Sequence, residues 1–222
     1  MKKLMFALFC VSLSAAFLSG CSLEGEAFVE KSFEAQASQV QALQIEVADR
    51  KIEIQPSEDG NVHIGYQESD KNFYHIGLTE EKTLVMTSEE NKSWTDFIGT
   101  KPPVENRTIT LKIPASALAS LSIAASNEDI FLPPMTFSET VSIHLNNGDI
   151  QVDGITVGKG LDLETKNGDI SGTVTGTYDD FSISTEARKG DCNLPASKEE
   201  GEKALTAFAN HGDINLQFVK GS

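Results

Sequence analysis

Five aspartates recur at a nearly constant interval in the C-terminal half of the sequence. Asp129, Asp149 and Asp169 are 20 residues apart, and Asp191 and Asp213 follow at intervals of 22. Carboxylates that a repeat brings together repel one another, so a column of them can bind Ca²⁺ or have raised pKa values. Asp149, Asp169, Asp191 and Asp213 are therefore candidates for a calcium column, although the nine-residue spacing of calcium-binding β-rolls is absent from the sequence.

The neighbours of these aspartates favour a structural interpretation of the same column. Glycine supplies the positive φ angles of a tight turn, and aspartate side chains accept backbone N–H groups in turns. We therefore expect each aspartate to cap its own turn rather than to bind a metal. The predicted turn residues are Asn147, Gly148, Asp149, Asn167, Gly168, Asp169, Gly190, Asp191, Gly212 and Asp213.

Other groups that could carry chemistry lack a recognisable arrangement along the chain. A glycan-cleaving β-solenoid enzyme would use carboxylates such as Asp153, Asp162 and Glu164, but here they fit ordinary exposed strand charges. The sequence contains no GxSxG, HExxH or P-loop motif. The four histidines, which lack metal-ligand spacing, are His63, His75, His144 and His211. We predict a protein that is not an enzyme and uses no cofactor.

Cys21 ends an N-terminal segment with the features of a secretion signal, residues 1–20. Lys2 and Lys3 precede an apolar run, residues 4–17, that is too short to span a bilayer comfortably. Residues 18–21, Leu-Ser-Gly-Cys, resemble the lipobox of bacterial lipoproteins at all four positions. The resemblance implies cleavage before Cys21 and lipidation of its thiol. The protein would then be extracytoplasmic, anchored to the outer face of the cell membrane, as in Gram-positive bacteria.

Charge and cysteine content narrow the class of partner. The formal net charge of −15 becomes −17 when Lys2 and Lys3 are removed with the signal. Nucleic acid requires a basic surface, so it is excluded as a partner, as is electrostatic attraction to anionic lipid.

Cys10 lies in the signal and Cys21 would carry the lipid, which leaves Cys192 as the single thiol of the body. No intramolecular disulfide is expected, and we expect the Cys192 thiol to be buried.

The N-terminal half of the mature chain contains a tether and several strands. Residues 21–37 are small and polar and predict a tether, with a short strand around Phe28 to Phe33. Alternating apolar residues predict further strands within residues 41–54, 62–66, 83–87 and 108–113. The aperiodic segment 89–106 contains Trp94 and Phe97, which we expect to pack on the body, a functional loop being the alternative.

Residues 116–220 consist of repeats in which an alternating strand, a turn and a second strand follow in the same order. The similar blocks are residues 121–132, 141–152, 161–172 and 205–216, with a divergent block from Phe181 and a weaker copy at residues 43–54. Asn-Gly turns can connect an antiparallel meander. Repetition of the turn sequence at one place instead favours a parallel solenoid in which like residues stack.

We therefore predict an all-β fold, a right-handed parallel β-solenoid with coils of about 20 residues. The β-repeat domain would cover residues 38–220, with the strands of residues 38–115 capping one end and residues 116–220 forming the regular repeats. An outward polar ladder is expected from Ser122, Ser142, Asp162 and Ser182.

The Asn-Gly-Asp-Ile repeats also resemble a known bacterial family. So do IEIQPSEDGNVHIGY at residues 52–66 and ITLKIP at residues 109–114. This is the β-strand-repeat family called putative adhesins, a domain of unknown function that includes the LiaG-type accessory protein of a cell-envelope stress operon. The resemblance covers residues 38–220, while the turns at residues 49–51 and 188–190 depart from the pattern. It implies a β-repeat body, and the family has no catalytic motif whose residues could be assigned in this sequence.

These observations together indicate a membrane-anchored lipoprotein that presents a non-catalytic β-repeat surface. Its partners would be the membrane, through the lipid on Cys21, and an envelope protein or glycan. Two alternatives stay open at this point. One is a regulatory accessory of a cell-envelope stress response that acts by protein contact, and the other is a glycan-acting β-helix enzyme.

Overall fold

The computed structural model describes residues 27–91, 102–116 and 118–221, and nearly all their regular structure is β. Short 3-10 turns occupy Ala37–Gln39, Val104–Arg107 and Tyr178–Asp180. Within these ranges we find no helix with the length and apolarity needed to cross a membrane. The strands are β1 (Val29–Gln36), β2 (Ala42–Glu46), β3 (Lys51–Pro56), β4 (Asn61–Glu68), β5 (Asn72–Leu78), β6 (Thr83–Glu90), β7 (Thr108–Ile113), β8 (Ser120–Asn127), β9 (Ile130–Leu132), β10 (Thr136–Phe137), β11 (Thr140–Asn147), β12 (Ile150–Val157), β13 (Gly160–Asn167), β14 (Ile170–Thr175), β15 (Phe181–Ala187), β16 (Ser197–Lys198), β17 (Lys203–His211) and β18 (Ile214–Val219).

The described strands form three sheets. The long sheet has nine strands in the order β16-β15-β17-β13-β11-β8-β2-β6-β5. The short sheet has five strands, with the path β10-β12-β14-β18 and β9 also paired to β12. The N-terminal sheet has four strands in the order β1-β4-β7-β3. Buried side chains from all three sheets belong to one hydrophobic core.

Successive repeats pair in parallel, which confirms the stacked arrangement and rules out the meander. Val141 of β11 lies beside Leu121 of β8 and Leu161 of β13. In the short sheet, Ile150 lies beside Ile130 and Ile170 in the same way. Each regular repeat thus gives its first strand to the long sheet and its second to the short sheet, because the turn between them redirects the chain.

The alternating pattern determines which side chains enter the core. Ile123, Ile143 and Leu163 are each at most 1 % exposed, and they stack in register across β8, β11 and β13. Burial of such a side chain contributes about 1.5–3 kcal/mol relative to leaving it in water. The facing wall of the core comes from the isoleucines at the start of the second strands, residues 130, 150, 170 and 214.

The last two repeats stack in the reverse of their order in the sequence. β13 pairs with β17, placing Asp162 beside Thr206, and β15 lies outside β17. The final repeat is therefore inserted between the third block and the divergent block from Phe181. The outer edge of β15 is occupied by β16, and the N–H of Thr185 donates to the carbonyl of Ala196 at 3.0 Å. Because that edge is already paired, β15 is suited only to the end of the stack.

The strands before residue 116 extend the repeats and add a second group. β2 continues the long sheet, with Leu43 beside Leu121, as the weaker copy at residues 43–54 indicated. β3 pairs instead with β7 in the N-terminal sheet. The tether predicted for residues 21–37 is shortened, because Val29–Gln36 form an eight-residue strand antiparallel to β4. From Glu30 onward, exposed polar residues alternate with the partly buried Lys31, Phe33 and Ala35, which is the pattern of an edge strand rather than of a free linker.

Candidate functional site

The turn aspartates form a hydrogen-bonded ladder along one side of the repeats. The backbone N–H of Asp149 donates to Oδ1 of Asp129, and that of Asp169 donates to Oδ1 of Asp149, both at 2.8 Å. The ladder continues from Asp169 to Asp213 and from Asp213 to Asp191, again at 2.8 Å. Each of these carboxylates accepts from the neighbouring coil rather than from its own turn, because parallel stacking brings that N–H within reach. The prediction of self-capping turns is corrected in this respect.

Asparagines of the same turns form a second ladder. Nδ2 of Asn147 donates to Oδ1 of Asn127 at 2.6 Å, and Nδ2 of Asn167 donates to Oδ1 of Asn147 at 2.8 Å. An amide side chain has both a donor and an acceptor, so identical amides can stack coil upon coil. His211 takes the next position beside Asn167, and Nζ of Lys189 lies 2.9 Å from its Nε2.

The turn glycines allow neighbouring coils to approach closely. A Cβ on Gly168 would lie 2.5 Å from the carbonyl carbon of Gly148, and one on Gly212 would lie 2.5 Å from that of Gly168. Gly148 and Gly168 also have φ values of +116° and +151°, which disfavour any side chain. The first coil carries Glu128 at this position, and its carboxylate accepts a hydrogen bond from Arg107.

This geometry gives the aspartate column a structural role. In Asp129, Asp149, Asp169 and Asp213, one carboxylate oxygen accepts a backbone N–H. Such donors offset part of the mutual repulsion, so the column does not require a cation to form. Calcium binding by Asp149, Asp169, Asp191 and Asp213 stays a prediction, for which the Discussion gives a test.

The outward face of the long sheet carries polar side chains in register. Ser122, Ser142 and Asp162 lie side by side, as predicted. The predicted fourth member, Ser182, lies instead beside Ala204, because the inserted β17 shifts the ladder. The next positions after Asp162 are Thr206 and Ser184.

A shallow depression lies over Ala124 on this face. Ala124 lies in register between Glu46 of β2 and His144 of β11, and its methyl group leaves a gap between these longer side chains. Polar groups of both charges surround the gap and could hydrogen-bond to a polar chain lying on the sheet. The outward polar side chains that line it are Ser126, His144, Asn146, Glu164 and Lys166.

Ser142, His144 and Asp162 meet on this face but do not form a catalytic triad. Nε2 of His144 lies 3.3 Å from Oγ of Ser142 and 2.9 Å from Oδ2 of Asp162. A triad requires the carboxylate on one ring nitrogen and the hydroxyl on the other, so that the histidine can accept the serine proton. Here both partners share one nitrogen.

The three carboxylates considered for glycan cleavage do not converge. Asp162 and Glu164 point from the long sheet, two residues apart on β13. Asp153 belongs to β12 of the short sheet, where its Oδ1 accepts from Thr173 at 3.1 Å. The three carboxylates therefore do not meet at one site, although Asp162 and Glu164 share the outward face of β13.

The four histidines lie apart on β4, β5, β11 and β17. His75 and His144 each lie beside one carboxylate, Glu89 at 2.7 Å and Asp162 at 2.9 Å. His63 has two carboxylates near it, and together with Glu34 and Asp59 it forms a group of metal-type donors within 4.8 Å of one another. Sequence reasoning missed this group, because Glu34 belongs to the predicted tether and comes near His63 only through the β1–β4 pairing.

A buried arginine supports the end of the core near β5. Arg50 is 4 % exposed. It donates to the hydroxyl of Tyr74 at 2.6 Å, to Oδ1 of Asn72 at 3.1 Å and to the carbonyl of Ala48 at 3.0 Å. Burial raises the pKa of Tyr74, and the guanidinium of Arg50 opposes that shift. These contacts satisfy the buried cation inside the fold.

Three sequence predictions concern single residues. Cys21 and the segment with Trp94 and Phe97 lie outside the described residues. Cys192 is half-buried, so the expectation of a buried thiol holds only in part. It takes the place of the repeated isoleucine by bridging to Ile214, and its thiol lies 3.4 Å from Oγ1 of Thr185.

Parallel-paired repeats with stacked Asn-Gly-Asp turns define the chain as an all-β repeat protein, with no catalytic constellation among the described residues. Its sequence matches the family described as Toastrack DUF4097 over residues 40–171 and 135–217, and the chain belongs to this family, a domain of unknown function. No curated protein matches it significantly.

Solved structures of bacterial proteins with related descriptions align with the chain. One is a putative cell adhesion protein from Clostridium sporogenes, with 11 % identity, 86 % of this chain and 99 % of that chain covered, and a TM-score of 0.45. Another is a putative adhesin from Bacteroides fragilis, with 12 % identity, coverages of 86 % and 97 %, and a TM-score of 0.33. A putative adhesin from Parabacteroides merdae has 9 % identity, coverages of 86 % and 92 %, and a TM-score of 0.26. These scores are low, so the family assignment rests on the sequence match.

Proposed function

We propose that the protein is a membrane-anchored extracytoplasmic lipoprotein whose β-repeat body binds another component of the cell envelope without catalysis. The observation that carries the proposal is the outward face of the long sheet. There, polar side chains of neighbouring hydrogen-bonded strands lie in register. A shallow, open surface of this kind suits an extended chain, a glycan or a peptide, better than a small substrate that needs enclosure.

The proposed lipid on Cys21 would keep this surface near the membrane. β1 begins at Val29, so seven residues, 22–28, separate it from Cys21. Fully extended, seven residues span at most about 25 Å. The body would then bind partners within the envelope layer next to the membrane.

We also propose that the repeats wind as a right-handed solenoid. β8 and β11 are parallel neighbours in one sheet, joined by a chain that passes through β9 and β10. Crossovers between parallel strands of one sheet are right-handed in about 98 % of cases. An experimental electron-density map that traced this crossover as left-handed would overturn the proposal.

Site-specific photocrosslinking on intact cells tests the binding function. A photoreactive residue replaces Glu164, on the outward face of the long sheet, or Asn215, an exposed position of the short sheet, as the matched control. We expect a defined crosslinked species from position 164 and none from position 215. Equal capture at both positions, or no capture at position 164, would contradict the proposed surface.

The identity of the captured species separates the alternatives. A wall glycan or a structural envelope protein supports the proposal, whereas a membrane sensor of envelope stress favours a regulatory accessory role. Incubation of the purified protein with wall glycan gives a second readout. Turnover of the glycan would overturn the non-catalytic assignment, and retention without turnover supports it.

A further inference from the structure

Three donor side chains meet on the β1–β4 pair: Asp59 and His63 are four residues apart in the chain, whereas Glu34 lies 29 residues before His63. Glu34 and His63 are direct cross-strand partners, and Asp59 lies in the turn that precedes β4. Nε2 of His63 is 2.9 Å from both Oδ1 and Oδ2 of Asp59, and its Nδ1 is 4.0 Å from Oε2 of Glu34. The group therefore combines one imidazole and two carboxylates on a two-stranded support.

Neighbouring groups hold both carboxylates in place. The hydroxyl of Ser57 and the backbone N–H of Asn61 donate to Oδ1 of Asp59 at 2.8 and 2.9 Å. Nδ2 of Asn61 donates to Oε1 of Glu34 at 2.8 Å, which leaves Oε2 on the His63 side. Hydrogen bonds of this kind orient metal ligands before the ion arrives.

We propose that Glu34, Asp59 and His63 bind one divalent transition-metal cation, of which Zn²⁺ is the best match. An imidazole nitrogen with carboxylate oxygens is a donor set that Zn²⁺ uses, at ligand distances of about 2.0–2.2 Å. Ca²⁺ prefers six to eight oxygen ligands, so the imidazole argues against it. The side chains are 57 % (Glu34), 53 % (Asp59) and 29 % (His63) exposed, so water can complete the coordination.

The ion would stabilise the attachment of the first strand. Within the described part of the chain, β1 pairs only with β4, and the proposed ion joins these two strands. β1 is also the strand that follows the segment leading from Cys21. Metal binding would thus secure the edge at which the body is attached to its anchor.

Titration of the full chain in detergent at pH 7 with Zn²⁺ tests the site. We expect saturable binding of one ion, weakened at least about tenfold by His63→Gln and by Asp59→Asn. His75→Gln is the matched control, because His75 also faces one carboxylate but, among the described residues, belongs to no group of three donors, and it should bind Zn²⁺ as the wild type does. Circular dichroism shows whether each variant is folded.

Hydrogen exchange gives a readout that a surface-adsorbed ion would not produce. Zn²⁺ should slow amide exchange in residues 29–36 of the wild type but not of His63→Gln. Absence of saturable binding, equal loss in His75→Gln, tighter binding of Ca²⁺ than of Zn²⁺, or unchanged exchange in β1 would each overturn the proposal. Binding of Zn²⁺ by folded His63→Gln with wild-type affinity would do so as well.

Discussion

At the scale of single residues, the repeat is maintained by contacts between equivalent turns. The glycines make these contacts possible, because backbone carbonyls of one coil lie where a side chain of the next would be. The aspartates and asparagines then bond from coil to coil rather than within a turn. Stacking therefore requires that the turn sequence be repeated along the chain, and no ligand is needed to explain the repetition.

Replacement of a stacking glycine tests this requirement. Gly168→Ala should lower the free energy of unfolding by at least about 2 kcal/mol, because its Cβ would collide with the Gly148 carbonyl at a strained φ. Gly77→Ala is the control, since a Cβ there meets no atom within 4 Å. We expect the control to change stability by less than about 0.5 kcal/mol in urea denaturation. Equal effects at the two positions would argue against the close approach.

The aspartate ladder gives a second prediction. Asp169→Ala removes the acceptor for the Asp213 N–H and should cost about 1 kcal/mol, while Asp169→Asn keeps an acceptor oxygen and should cost less. Asp191→Ala should have little effect, because the Asp191 carboxylate accepts no ladder N–H among the described residues. The melting temperatures of these variants, measured with and without Ca²⁺, check both points.

The same melting experiment addresses the calcium column. We expect Ca²⁺ to leave the melting temperature of the wild type unchanged, because the aspartates already have backbone donors. A rise that disappears in Asp169→Asn would instead show that Ca²⁺ binds to the column, since a ligand specific for the native state stabilises it.

At the scale of elements, the insertion of β17 between β13 and β15 is the main feature of the C-terminal end. The divergent repeat closes the stack, and β16 pairs with its outer edge.

The edge of β18 in the short sheet is blocked in another way. The side chain of Asn193 donates to the carbonyl of Leu216 at 2.8 Å and accepts from its N–H at 3.0 Å. Covered edges of this kind prevent the addition of strands from other molecules.

Engineered disulfides can establish the order of the strands. In a Cys192→Ser background, Asp162→Cys with Thr206→Cys should oxidise to a disulfide, because these residues are partners on adjacent strands. Asp162→Cys with Ser182→Cys should not, since β17 separates them by two strand spacings of about 4.8 Å each. Thiol titration after mild oxidation measures both. The opposite result would restore the order of the repeats in the sequence.

At the scale of the whole molecule, the proposal joins a lipid anchor to a rigid acidic body. The net charge of −17 expected after removal of the signal favours solubility and disfavours attraction to anionic lipid, so attachment would depend on the acyl chains. Cys21→Ala should therefore leave the protein unprocessed or released. Fractionation of cells followed by detection of the protein measures this, and mature-sized variant protein in the membrane fraction at wild-type level would contradict it.

The parts of the fold that the sequence predicted correctly depend on local physics. The alternation in residues 141–145 and 161–165 determined which side chains are buried, and the repeated turn predicted parallel stacking. The weaker copy at residues 43–54 predicted the position of β2, but β3 pairs with β7 in the N-terminal sheet and does not follow the repeat. β1 was predicted mainly as a tether, because an edge strand with one partner needs few apolar residues.

The sequence by itself determined the all-β class, the repeat, its core residues and the turns, since each depends on the period of the side chains and on what glycine and asparagine permit. Only the tertiary structure decided which repeats are neighbours. The last two intervals between turn aspartates are both 22 residues, so the spacing does not show which of the last two repeats lies next to β13. In the structure β17 lies there, because the outer edge of β15 is already paired with β16. The tertiary structure likewise brought Glu34 to His63, because a contact between residues 29 positions apart depends on strand pairing rather than on local sequence.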